Sequence, residues 1–87
     1  MNAAAEWQYM NTAYEQMLEY GYGERDRDRD IAHCARLKGT IHTCFSTRHA
    51  LPINGERWHW KRDVIRRARE EYLQAAYRVV WYDMLHG

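Results

Sequence analysis

Residues 56–85 read ERWHWKRDVIRRAREEYLQAAYRVVWYDML, and the period of their apolar positions decides the fold. At 100° per residue, Trp58, Ile65, Ala68, Tyr72, Ala76, Val79 and Val80 fall within roughly 120° of arc. Arg67, Glu71, Gln74 and Arg78 lie on the opposite side of the same wheel. No Pro or Gly interrupts the stretch, so the spacing predicts a single long amphipathic helix over about 56–85 with a core face from Ile65 to Val80. Glu71 stands four residues from Arg67 and Glu70 four from Arg66, the spacing of surface ion pairs.

Upstream of that helix, Ala50-Leu51-Pro52-Ile53-Asn54-Gly55 is a loop, punctuated by Pro52 and the Asn-Gly pair. Before the loop, Ile31, Cys34, Leu37, Ile41, Cys44 and Phe45 recur at helical steps and predict a second helix over about 28–48. The run Glu24 to Asp30 alternates acid and base with no apolar face. It reads as a solvated loop that leads into the second helix, its Asp residues placed near the positive end of the helix dipole. At the start of the chain, Trp7, Met10, Tyr14, Met17 and Leu18 mark a first helix over about 3–20. Asn2 serves as its N-cap, and Gly21-Tyr22-Gly23 stops it.

The expected fold is therefore all-α: one domain over residues 1–87, a small three-helix bundle with a long amphipathic C-terminal helix and sequence neighbours antiparallel. One dimension does not match. The third helix spans roughly 45 Å, the first two about 27–33 Å. Part of the third helix must project, or be covered by another chain; a homodimer would cover it.

With 87 residues, 46% hydrophobic and 29% charged, the chain is too apolar for simple disorder and near the lower size limit for a single core. Its aromatics are seven Tyr and four Trp against one Phe. These amphipathic rings suit half-buried positions and interfaces better than a dry core. The only cysteines, Cys34 and Cys44, sit ten residues apart on one helix. That is roughly 15 Å, too far for a disulfide. Two unpaired thiols, the absence of a basic-then-apolar leader in Met1-Asn2-Ala3-Ala4-Ala5-Glu6, and no apolar run approaching ~20 residues make the cytoplasm the expected location.

Four constellations are candidates for chemistry. His33, Cys34, His42, Cys44 and His49 are close in sequence, but on a helix adjacent His33 and Cys34 point about 100° apart, and one ion cannot gather four such ligands. No metal and no cofactor are expected. Arg36 and His42, as Arg-x5-His, resemble the motif of the HEPN ribonucleases, helical enzymes that build their active site across a dimer. The letters of His49, Asn54 and His59 resemble those of an HNH nuclease at a spacing too tight for its metal fold. Cys34 and Cys44 lie on an apolar stripe, where buried thiols are inert. No catalytic residue is assigned, and the protein is read as not an enzyme.

The first half of the third helix is a candidate nucleic-acid surface: Arg57, Lys61, Arg62, Arg66, Arg67 and Arg69 with Trp58, His59 and Trp60 interleaved. Residues 56–69 carry a charge of +4, whereas residues 1–30, with seven acids and three bases, carry −4. The two could neutralise each other within or between chains. The whole chain is only +1, and no helix-turn-helix spacing is present. Tyr77, Trp81 and Met84 lie off the core stripe, with Leu85 further round. Trp58 and Trp60 at one end of the helix, with Tyr77, Trp81 and Met84 at the other, mark two candidate protein-binding zones. They are built from the residue types that dominate binding hot spots.

The expected function is that of a small non-enzymatic protein acting by stoichiometric protein–protein interaction. In size and character, though in no motif, it resembles the phage and mobile-element inhibitors of host defence, such as anti-CRISPR proteins. A nucleic-acid-binding module that uses the basic aromatic face of the third helix is the second reading.

Overall fold

The structure, a computed structural model, describes residues 3–48 and 50–87, with side chains from Glu6 onward. The expected cap Asn2 and the candidate ligand His49 lie outside the described residues. Three helices, α1 (Ala3–Tyr20), α2 (Glu24–Arg48) and α3 (Glu56–His86), and no strand are present among them. The chain is an all-α three-helix bundle with its longest helix at the C-terminus.

Local chemistry sets each boundary. Gly21 takes φ +60°, where a side chain would meet its own carbonyl, and this lets Tyr22 N–H reach Met17 O at 3.3 Å and close α1. Two residues on, Asp26 accepts the Gly23 N–H at 3.0 Å, one half of a capping box. α2 therefore begins at Glu24, and the alternating charge run is helical rather than loop. Helical winding places Asp26, Arg27 and Asp30 toward the rest of the molecule, where they find partners; this tertiary reward is invisible in the local sequence. Asn54 at φ +65° and the Gly55 N–H to Pro52 O bond (3.1 Å) shape the turn that starts α3.

α2 runs antiparallel to α3 along most of its length. Arg27 meets Asp83, Asp30 meets Arg78, Cys34 meets the Tyr72 carbonyl and Thr47 meets Lys61. α1 engages only the second half of α3, through Glu6 with Tyr77, Gln16 with Arg78 and Met10 with Trp81. Among the described residues, both flanking helices pack on α3 and not on each other. It is thus the first half of α3, rather than its last turns, that lacks a third helix. The end of α3 is held by Arg27 and by the Tyr22 ring, 5.8 Å from that of Tyr82, although Met84 and Leu85 stay exposed.

The core is thin. Its buried apolar residues are Ala13, Met17, Leu37, Ile65, Ala68 and Ala75, three of them alanines, and none of the larger side chains described is fully enclosed. The α1 stripe is rotated from expectation: Ala13 and Met17 turn inward, so Trp7 and Leu18 face outward. On the other helices Ile31, Phe45 and Val80, expected in the core, are also exposed. Conversely Gln74 and Arg78, expected on the polar side of α3, are half-buried, because α1 packs on that side. The expected Arg67–Glu71 and Arg66–Glu70 pairs are replaced by His33–Glu71 at 3.6 Å and Arg66–Asp63 at 3.7 Å.

The result is elongated. The molecule measures 47 × 27 × 19 Å with a radius of gyration of 15.2 Å, against about 12 Å for a compact chain of this length. Its accessible surface is 6477 Å², whereas folded monomers of this mass average about 5,400 Å².

Candidate macromolecule-binding surfaces

One polar cluster fixes the three helices relative to one another. Asp30 on α2 is only 8% exposed. It accepts a fork from Arg78 of α3, Nε to Oδ2 at 2.8 Å and Nη2 to Oδ1 at 3.0 Å, and a third bond from the Tyr22 hydroxyl at 2.7 Å. The remaining arm of Arg78 donates to Gln16 of α1 at 2.6 Å. Burial alone would raise the Asp30 carboxyl, but the bonds from Arg78 and Tyr22 outweigh it and hold the group below its ordinary value. The Tyr22 phenol is pushed well above the usual range, first by burial and then by its bond to Asp30. All four groups are satisfied inside the protein, so the cluster is structural cement.

With this clamp at one end, the three helices leave a cleft of about 490 Å³ toward the other. Its apolar lining is Tyr9 from α1, Phe45 from α2, and Ile65 and Leu73 from α3. Arg48, Arg62, Arg66 and Arg69 stand around it, with Glu70 the only acid lining it among the described residues. Arg62 and Arg66 share Asp63, at 3.4 and 3.7 Å, while Arg69 has no ion-pair partner among the described residues. The Arg48 guanidinium lies 5.6 Å from the Phe45 ring and 4.7 Å from the Trp58 ring, and Arg62 approaches Trp58 from 6.0 Å. Four cations gathered at one opening repel one another, a cost that an anionic occupant would relieve.

The predicted basic face divides here. Arg62, Arg66 and Arg69 reach the cleft; Arg57 and Arg67 are exposed elsewhere on α3, and Lys61 bonds to the Thr47 hydroxyl. None of the six meets the acidic N-terminal segment among the described residues. Four acids of that segment turn instead to Tyr77 (Glu6), to Arg78 (Asp30) and to their own neighbours (Asp26 and Asp28).

The predicted protein-binding residues divide too. Trp60, at 60% exposed, and Met84, at 68%, point to solvent. Tyr77 and Trp81 are tied to α1: the Tyr77 hydroxyl donates to Glu6 at 2.8 Å, and Trp81 Nε1 donates to the Met10 carbonyl at 2.9 Å. The Trp81 ring also lies 5.1 Å from Tyr14. Trp58 is half-buried beneath its two arginines. Tyr9, Phe45 and Arg48 were not singled out as site residues. Arg48 ends α2, where a cation favours the helix dipole, but its lining of a shared cleft follows from helix packing alone.

No protein-family model, curated protein or solved structure matches the chain. Arg36 and His42 sit about 120° apart around α2 and do not converge, Arg36 lying 3.5 Å from His33 instead. Cys34 and Cys44 are free and half-buried, and burial raises the Cys34 thiol. No group of three or more His, Cys, Asp or Glu that could hold a metal ion occurs among the described residues. No described helix is long and apolar enough to cross a membrane.

Proposed function

We propose that this chain is a non-enzymatic binding protein that acts in the cytoplasm by stoichiometric contact with another protein. The observation that carries it is the apolar surface left uncovered. Among the described residues, eleven large apolar or aromatic side chains are exposed and six apolar residues are buried. Scattered exposed apolar residues are ordinary, but a surface about 1,000 Å² above the mass scaling, rich in Trp, Tyr and Leu, has the character of an interface awaiting a partner. The thiols Cys34 and Cys44, both unpaired, favour a reducing compartment.

Trp60 and Met84 are the clean probes, since neither is tied to another helix by the bonds that hold Tyr77 and Trp81. In affinity capture from the native host, Trp60→Ala and Met84→Ala should each keep the helical circular-dichroism signal while losing a partner held by the parent. Capture of the same partner by both variants at parent levels would refute this assignment. A stoichiometric inhibitor of host defence, carried by a phage or mobile element, is one form of such a function, in keeping with the small size. Its expression in cells with active CRISPR immunity should then restore plaques of a targeted phage, and no restoration would remove that form.

A second reading, nucleic-acid binding, rests on the four guanidiniums around the cleft. It requires retardation of single- or double-stranded nucleic acid at low salt, released steeply as salt rises. No retardation at low salt removes it.

A further inference from the structure

We infer that the chain pairs with a second copy of itself, α1 of each copy lying against the arginine-rimmed cleft of the other. The inference goes beyond the partner-binding function above and uses different residues from its probes.

The cleft calls for a particular occupant. An apolar lining of Tyr9, Phe45, Ile65 and Leu73 beneath a ring of arginines fits a helix with an apolar stripe and acidic flanks. The outer face of α1 is such a helix. Trp7, Tyr14 and Leu18 fall within about 40° of arc and are all exposed. Glu15 and Glu19 lie beside that stripe, exposed and with no ion-pair partner among the described residues.

Length points the same way. α3 has 31 residues and α1 has 18, and α1 covers only the second half of α3. The half left bare is the one that carries Arg62, Arg66 and Arg69. A second α1 placed there supplies the missing helix. Each chain thus carries one donor stripe and one acceptor cleft, the stripe lying about 140–180° round α1 from Tyr9, which lines the chain's own cleft. A two-fold pair engages both, each copy giving its stripe and receiving the other's. The surplus surface, about 1,000 Å² per chain, also matches the roughly 800 Å² per partner that a stable interface buries.

The test is the mass of the full-length chain by light scattering and sedimentation at tens of micromolar and low salt. Twice the 10.5 kDa chain mass is expected, with association weakening as salt rises. Two charge-reversed variants sharpen it. Arg66→Glu with Arg69→Glu makes the cleft acidic, and Glu15→Arg with Glu19→Arg makes α1 basic. Each alone should weaken self-association by roughly tenfold or more. Mixed together they should recover the dimer, because both interfaces of the mixed pair then bring opposite charges together. All these positions are exposed, so folding is retained, and circular dichroism checks it. A monomeric parent, or a dimer that both reversals leave intact, overturns the inference. A monomeric parent that retards nucleic acid, and loses this with Arg66→Glu and Arg69→Glu, assigns the cleft to nucleic acid and overturns it equally. Loss of the partner in the Trp60 and Met84 assay leaves dimer mass unchanged, so the two proposals fail separately.

Discussion

Replacing Arg78 by methionine should cost about 3 kcal/mol of folding stability. The side chains of Asp30 and Arg78 retain 11% and 21% exposure, and the fork between them is bidentate. Deleting one partner of a fully buried pair costs about 3–5 kcal/mol because the other charge is stranded. The residual exposure of this pair moves the estimate to the lower end of that range. The Tyr22 hydroxyl still donates to Asp30 in the variant and recovers part of the loss, while the Gln16 acceptor is left without Arg78. Against a total stability of about 4–13 kcal/mol for a chain of this length, that is a large fraction. In a thermal melt it corresponds to a fall of roughly 15 °C.

The matching experiment is a double-mutant cycle by urea denaturation, with Arg78→Met, Asp30→Leu and the two combined. The combined variant should be less destabilised than the sum of the single ones, with a coupling of about 2–3 kcal/mol. An Arg78→Met variant that loses less than about 1 kcal/mol, or a coupling near zero, would show that water screens the pair and that the cluster does not hold the helices together.

Other outcomes follow from the same contacts. Asp30 and Asp83 have folded pKa values below their unfolded ones, Asp83 through its bond with Arg27. Their contribution is therefore complete above the unfolded carboxyl range near pH 4 and is lost as pH falls through the depressed values. Chemical-denaturation midpoints should be flat from pH 5 to 7 and drop below pH 4, and in Asp30→Asn the drop should shrink. Tyr22 carries the opposite sign: its raised phenol contributes fully below pH 10 and the contribution is lost above it, so absorbance at 295 nm should show one tyrosine ionising only with unfolding. Gln74 Oε1 is buried without a hydrogen-bond partner among the described residues, and Gln74→Met should raise stability by about 1 kcal/mol in urea titration. Leu37→Ala, at the centre of the α2–α3 contact, should lower it by about 2–3 kcal/mol by the same measurement.

The existence and number of the helices, and the extent of α1 and α3, were legible because each apolar stripe repeats over several turns and Gly or Pro marks both loops. α1 and α3 begin where periodicity places them. What periodicity could not give was the rotation of each helix about its axis. On α1, Met10, Met17, Tyr14 and Leu18 are apolar over a wide arc, and which of them turns inward depends on what the partner offers. Ala13 is buried because a small side chain permits close approach to α3, a property the hydrophobic period does not score. Arg78 and Asp30 were assigned to solvent for a related reason. A charged residue is buried only when its counter-charge arrives from a segment 48 residues away, and no local pattern reports that. The basic character of the first half of α3 was readable, whereas the cleft needed Tyr9 and Arg48, two residues from helices that meet there only in the folded chain.

These limits share one physical origin. When a core contains three alanines and no fully enclosed large side chain, apolar burial favours many packings of three amphipathic helices almost equally. Something directional must choose among them. A carboxylate that accepts three bonds from two segments, and an arginine that reaches both α1 and α2, satisfy every donor in only one arrangement. Misrotation of any helix would leave a charge desolvated and unpaired, at several kcal/mol per ion. The cluster thus selects the packing in which α1 sits high on α3, and by doing so it leaves the arginine end bare. The same contacts that make the bundle unique also create the open cleft, so the cleft is built into the folding solution and is not an addition to it.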